Sequence, residues 1–227
     1  MAFNKPAGVL SHPNRAGEEG RALLQARYDL EAECFEWTVP GGEPRRLWLL
    51  NRLDSATSGV ILAAESAELA ATVRAQFQRK TVRKVYAALV FGVPRSQQEP
   101  WRDLLAVQKR GGVIRTSAAA GHVPAESIMT VVRSNRAEPR LTLIRLEPRT
   151  GRSHQLRVQC AKRQLPIVGD QTYGDFRKNR EFARAVGSKR LFLHSEVTQF
   201  TYEFRGRVFS FAAEAPLPPE FAVAVGV

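Results

Sequence analysis

Asn51-Arg52-Leu53-Asp54-Ser55-Ala56-Thr57-Ser58-Gly59 separates two apolar runs, Leu47–Leu50 before it and Val60–Ala64 after it. Both runs have the length of strands, and Val60–Ala64 reads as a strand buried on its two faces. The segment between them is a polar turn that ends in glycine. A carboxylate at the end of an apolar strand is held firmly by its backbone while one side stays open, which makes Asp54 a candidate functional residue. Spacing alone leaves another reading open, an Asx-turn in which Asp54 accepts from amides two residues on.

C-terminal to this segment, Ser66 is placed to cap a helix over 67–79, with Leu69, Val73 and Phe77 recurring every four residues as its core stripe. Val82–Phe91 reads as a strand partly buried on both faces. Pro94–Pro100 is a linker or long turn. Short strands follow near 104–109, 113–117 and 125–132, divided by turns at Gly111-Gly112 and Gly121. Arg140–Glu147 is a further strand, and a helix opens near Ser153 and runs to about Arg163. Gly169-Asp170 makes a turn, Leu191–Ser195 a strand, and 198–204 with 207–213 a hairpin around Arg205-Gly206. N-terminal to the segment, residues 1–13 hold a short strand broken by Pro6 and Gly8. Residues 18–28 suggest a helix with Ala22, Leu23 and Ala26 on one side, and 40–44 a turn. Short strands with few helices, and too little chain between strands for regular crossovers, predict an α+β fold. Its core is expected to be a mixed, largely antiparallel sheet with a few packed helices. No linker divides the chain, so 1–227 is expected to be a single domain.

Lys plus Arg total 34 against 22 Asp plus Glu, a net charge of +12, which points to a polyanionic partner and to nucleic acid first. Hydrophobic residues make up 44%, enough for a core and too many for a disordered chain. Cys34 and Cys160 form no CxxC pair, and His12, His122, His154 and His194 are scattered, so neither a disulfide framework nor a metal site is expected. The composition suits the reducing cytoplasm. No apolar run reaches membrane-spanning length, and no membrane partner is expected.

Asn51–Gly59 closely resembles the His-Arg-Leu-Asp-x-x-Thr-Ser-Gly motif of the RluA-type RNA pseudouridine synthases. Further stretches match that family in order: Asn4-Lys5-Pro6-Ala7-Gly8, Lys84-Val85-Tyr86-Ala87-Ala88, Thr150-Gly151-Arg152-Ser153-His154-Gln155-Leu156-Arg157, Pro166-Ile167-Val168-Gly169-Asp170 and Leu191-Phe192-Leu193-His194-Ser195. The resemblance implies the pseudouridine synthase catalytic fold and the isomerisation of uridine in rRNA or tRNA, with no cofactor and no metal. It makes Asp54 the nucleophile, which attacks either C1′ of the ribose or C6 of the base. It makes Arg157 the cation paired with Asp54, and Tyr86 the residue that stacks on the flipped base or moves a proton. Arg52 would stack near that base or clamp a phosphate, and Leu193 would form an apolar wall of its pocket. Arg79, Lys80, Arg83 and Lys84 form one basic run and 176–190 another, and both are expected to grip the RNA backbone.

Asn51 departs from the usual histidine, Ser153 from a threonine, and Gln159 from a second histidine. The first matched block begins close to residue 1, so the accessory N-terminal RNA-binding domain of many relatives is not expected here. A monomer acting on structured RNA is expected. The rival readings are an RNA-binding or RNA-folding factor that has lost catalysis, and a nucleobase glycosylase. The glycosylase reading suffers from the lack of a second carboxylate at motif spacing.

Overall fold

The computed structural model describes residues 1–110, 113–117, 121–135 and 137–224. Among them the chain forms β1 (Ala2–Lys5), β2 (Arg27–Asp29), β3 (Cys34–Thr38), β4 (Pro44–Leu49), β5 (Ser58–Ala64) and α1 (Ala67–Gln78). There follow β6 (Arg83–Phe91), β7 (Gln98–Arg110), β8 (Val113–Ser117), β9 (Val123–Ser134) and β10 (Leu141–Pro148). The remainder is α2 (Gln155–Lys162), α3 (Phe176–Val186), β11 (Leu193–Phe204), β12 (Arg207–Glu214) and α4 (Pro219–Ala224). Two compact units result, one from Met1–Val82 and Val197–Ala215, the other from Arg83–Glu196 and Pro216–Val227.

In the first unit every residue of β5 is buried. Strand alternation sends Ile61 and Ala63 into a cluster with Ala22, Phe35, Leu47 and Leu49, and sends Val60 and Leu62 into another with Val73, Val82, Phe200 and Ala215. An apolar run with no polar face is therefore a strand covered on both sides. β2, β3, β4 and β5 pair antiparallel in that order, β1 also pairs with β5, and β11 pairs with β12 as the expected hairpin. At the start of α1 the Ser66 hydroxyl accepts the Leu69 N–H at 3.3 Å, and Leu69, Val73 and Phe77 pack into the second cluster.

Residues 18–28 do not form the expected helix. Glu19–Arg21 make one 3-10 turn, and β2 begins at Arg27. The Leu10 N–H donates to Arg21 O and the Leu23 N–H to Leu10 O, both at 2.8 Å. These bonds to a distant segment replace those a helix would make within itself, and Gly17 and Gly20 weaken any competing helix. Ala22, Leu23 and Ala26 still reach the core.

In the second unit β6, β10, β9, β7 and β8 pair antiparallel in that order. β7 begins at Gln98, inside the stretch expected to be a linker. The turn expected at Gly111-Gly112 lies outside the described residues. The basic stretch 176–190 contains a helix, α3. The Asp175 carboxylate accepts the N–H groups of Arg177 and Lys178, and Gly187 ends the helix at φ 72°. Phe182 anchors it, edge-on to Phe91 and Phe192.

Helix α2 buries polar as well as apolar residues, including Gln155, Arg157 and Gln159. Thr150 Oγ1 donates to Gln155 Oε1 at 2.7 Å, and Gln155 Nε2 donates to Glu126 O at 3.0 Å. Gln159, at the position where the family has a histidine, accepts from Ser127 Oγ at 2.9 Å and donates to Asp103 Oδ2 at 2.9 Å. Lys162 and Arg163 complete the shell of Asp103 at 2.7 and 2.9 Å. Burial would raise the Asp103 pKa, but bonds from Lys162, Gln159 and Arg163 outweigh it and hold the carboxyl below the usual range.

The stabilisation from Asp103 is complete above the unfolded aspartate pKa of about 4 and is lost as the pH falls through the lowered folded value. Asp103→Asn is therefore expected to lower Tm at neutral pH and to flatten the fall of Tm between about pH 5 and pH 2. Thermal melts across that range check it, and equal slopes for the two proteins would contradict it.

Candidate active site

Asp54 is half-buried between buried Leu53 and the buried run Thr57–Gly59. The Thr57 N–H donates to Asp54 O at 3.0 Å and closes a backbone turn. Lys5 lies behind that turn, fully buried. Its Nζ donates to Pro6 O at 2.9 Å, Val9 O at 2.7 Å and Ser55 O at 3.0 Å. The Gly8 N–H donates to the same Ser55 O at 2.8 Å. On the other side of Asp54, the Ser11 hydroxyl donates to Leu53 O at 2.8 Å and accepts the Leu53 N–H at 3.0 Å. The residues on both sides of Asp54, Leu53 and Ser55, are thus tied through their backbone to the N-terminal segment. Asn51 accepts the Leu62 N–H at 2.7 Å through Oδ1 and so fastens the entry of the turn to β5. Arg52 is exposed, 3.8 Å from Glu33 and 3.5 Å from His12, whose ring stacks on Tyr28. Arg79 and Lys80, at the end of α1, are exposed.

Tyr86, Lys84, Arg157 and Leu193 belong to the second unit. On β6, Val85 and Ala87 are buried while Lys84 and Tyr86 are half-buried, so strand alternation places the latter two on one side. Among the described residues no hydrogen bond or ion pair holds the Lys84 ammonium, and burial lowers its pKa. It lies 3.9 Å from the point where a Cβ on Gly151 would stand. Arg83 differs, being bound through two nitrogens to Glu147 at 3.0 and 3.2 Å.

Arg157 is 8% exposed, and its Nε and Nη2 donate to the Asp170 carboxylate at 2.8 Å each. Its guanidinium also lies 5.1 Å from the centre of the Tyr173 ring, whose hydroxyl is 2.8 Å from His154 Nδ1. Burial would raise the Asp170 pKa, but the bonds and charge of Arg157, with the N–H groups of Tyr173 and Thr172, hold it below the usual carboxylate range. The segment carrying Asp170 is bonded to its neighbours: Val168 N–H to Leu89 O at 2.9 Å and Phe192 N–H to Val168 O at 2.9 Å, with Leu89 N–H to Phe192 O at 3.0 Å. Gly169 is obligatory at this crossing, because a Cβ there would overlap Arg190 O, and its φ is 77°. Leu193 follows this junction and is buried. Lys5, Ser11 and Asp170 were not singled out by spacing. Lys5 and Asp170 lie in motif-matched blocks, but their partners are backbone groups and a residue distant in sequence.

The family described as RNA pseudouridylate synthase matches residues 1–162. The chain belongs to this family. It is 30% identical over 217 residues to the tRNA pseudouridine synthase C of Salmonella typhimurium, covering 91% of this chain and 78% of that protein. It is 31% identical over 202 residues to the ribosomal large subunit pseudouridine synthase C of Vibrio vulnificus, covering 89% of this chain and 58% of that protein. The solved structure of Human RNA Pseudouridylate Synthase Domain Containing 4 covers 97% of this chain and 86% of its own at a TM-score of 0.67 and 22% identity, a likeness of fold. An RNA pseudouridine synthase, an isomerase of α+β fold, is thus favoured over an RNA-binding factor without catalysis.

In this synthase, Lys5→Met leaves carbonyls around the Asp54 turn without their donor, at a cost of about 1–3 kcal/mol. The expected outcome is a Tm lower by several degrees and at least a roughly tenfold loss of pseudouridine formation below that Tm. Wild-type melting and turnover in Lys5→Met would remove Lys5 from this role.

Proposed function

We propose that this synthase isomerises uridine in structured RNA, tRNA before rRNA, with Asp54 as nucleophile, Arg157 as its ionic partner and Tyr86 beside the flipped base. The observation that carries the reading is Asp54, in a turn tied on both sides, within a family of RNA pseudouridylate synthases. The names of the relatives support tRNA, with a large-subunit rRNA enzyme as the second case.

A carboxylate in a partly desolvated pocket needs a cation to stay ionised and nucleophilic, and a planar guanidinium can hold it with two bonds. Attack at C1′ of ribose or at C6 of uracil frees the base to turn and rejoin through C5. The C5 hydrogen then leaves, and the Tyr86 hydroxyl is suited to assist that transfer. Leu193 lines the base pocket. Arg52, with its exposed guanidinium, stacks or clamps near the displaced base. The two units act together as one catalytic domain, as a monomer in the cytoplasm. The free, buried cysteines Cys34 and Cys160 suit that reducing compartment.

Unmodified tRNA and rRNA transcripts carrying 5-tritiated uridine test the reaction. Wild type is expected to release tritium and leave pseudouridine at mapped sites, while Asp54→Ala releases none. Equal release by the two proteins would remove Asp54 as nucleophile.

Lys84, Arg79 and Lys80 hold the strand while the base is out of its stack, whereas Arg83, already bound to Glu147, contributes little to that grip. Among them Lys84 is the strongest phosphate ligand in this reading, because its half-buried ammonium has no hydrogen bond or ion pair among the described residues and gains most from an incoming anion. Lys84→Met is expected to weaken RNA binding and to reduce the slope of log K against log salt by about 1. Titrations at several salt concentrations measure the slope, and an unchanged value would exclude a phosphate contact at Lys84.

A further inference from the structure

The Arg157–Asp170 pair uses one edge of the guanidinium. Nε and Nη2 face the two Asp170 oxygens at 2.8 Å each, a parallel fork that fixes the plane of the group as well as its position. Asp170 is itself immobilised. It is 1% exposed, and its Oδ1 also accepts the N–H of Thr172 at 2.8 Å and of Tyr173 at 3.0 Å. Its backbone is gripped by Asn179 of α3, which accepts the Gly169 N–H at 2.8 Å and donates to Asp170 O at 3.0 Å. The Tyr173 ring covers the guanidinium. A carboxylate that served only to neutralise a buried cation would not need this many fixed contacts.

We propose that Asp170 is a positioning residue for the isomerisation: it holds the Nε–Nη2 edge of Arg157 and thereby aims the Nη1 side of the guanidinium at the nucleophilic carboxylate. The proposal rests on the reading that Arg157 is the partner of Asp54. One cation then serves two carboxylates with different tasks. Asp170 is spent on orientation, deep in a bonded loop, and Asp54 is left for chemistry. The division follows from hydrogen-bond supply, since Asp170 accepts from four N–H groups and Asp54 must keep an oxygen for the substrate. Any turn of the guanidinium about its long axis would move the Nη1 side away from its target, and misplacement on the order of 1 Å costs a reaction about 100-fold.

A double-mutant cycle tests this on the full chain, with enzyme in excess over 5-tritiated unmodified tRNA and tritium release followed in a single turnover. Asp170→Asn is expected to slow the chemical step by about 10- to 100-fold while RNA affinity changes by less than about twofold, because only the aim of Arg157 is lost. Arg157→Met should slow it at least as much. In the Arg157→Met background, Asp170→Asn should change the rate by less than about twofold, since Asp170 then has nothing to aim. A rate within twofold of wild type for Asp170→Asn overturns the proposal. So does the same loss in both backgrounds, which would assign Asp170 to folding alone. Wild-type rate in Arg157→Met is a different result, because it removes the role of Arg157 and the proposal with it. If Asp170→Asn does not fold, Asp170→Glu enters the same cycle with the same expected coupling. Failure of both to fold also assigns Asp170 to the fold and rejects positioning.

Discussion

A fully buried ammonium fixes the turn that carries Asp54. The carbonyls of Pro6, Val9 and Ser55 help replace the water that Lys5 gives up, and Ser55 O belongs to the residue after Asp54. A lysine without such partners would lose its charge or stay at the surface. The requirement runs both ways. The carbonyls of a tight turn point inward and must find donors, and Lys5, Gly8 and Ser11 supply them from a segment some fifty residues earlier. Pairing of β1 with β5 brings that segment into place, Lys5 opposite Gly59. The core of the first unit and the backbone of the turn that carries Asp54 are therefore one construction.

The second unit meets the same demand with side chains. Helix α2 has buried residues on all sides and no clean apolar stripe, so packing alone would not orient it. A chain of amide and charge contacts from Thr150 through Gln155, Gln159, Ser127 and Asp103 sets its position, and Asp170 sets its arginine. Such networks contribute little net stability but penalise misplacement, since each displaced group would be left unpaired in a medium of low dielectric. That property suits a site whose chemistry depends on the placement of a charge.

Legibility in the sequence tracks how local each cause is. Helix α1 was readable because its cap, Ser66, and its stripe, Leu69, Val73 and Phe77, lie within one segment. The hairpin of β11 and β12 was readable from Arg205-Gly206, and β5 from its unbroken apolar run. Residues 18–28 carried a helical pattern, but their backbone bonds go to Leu10, which periodicity does not reveal. Helix α3 was hidden by its charge. Its signals were Asp175 and Gly187 at the ends and Phe182 facing the core, and the run of arginines between them reads as a solvated loop. The proposed site residues Asp54, Tyr86 and Arg157 came from ordered motifs. The grip of Lys5 on backbone carbonyls and of Asp170 on Arg157 spans folded distance, and no spacing rule states it.

The charge balance separates two jobs that one cationic residue type performs. Arg163, Lys162, Arg145 and Arg83 are held by protein carboxylates, so they add to the formal charge without offering much to a polyanion. The cations available to RNA are those that folding leaves in solvent. On α3, Arg180 and Arg184 are exposed, four residues apart, and follow the loop that holds Arg157. A net charge of +12 is therefore a poor measure of grip, because much of the positive charge is already engaged. The more informative quantity is where a cation remains both unpaired and partly desolvated. Among the described residues no hydrogen bond or ion pair holds Lys84, which is half-buried on the same side of β6 as Tyr86, so it meets that condition.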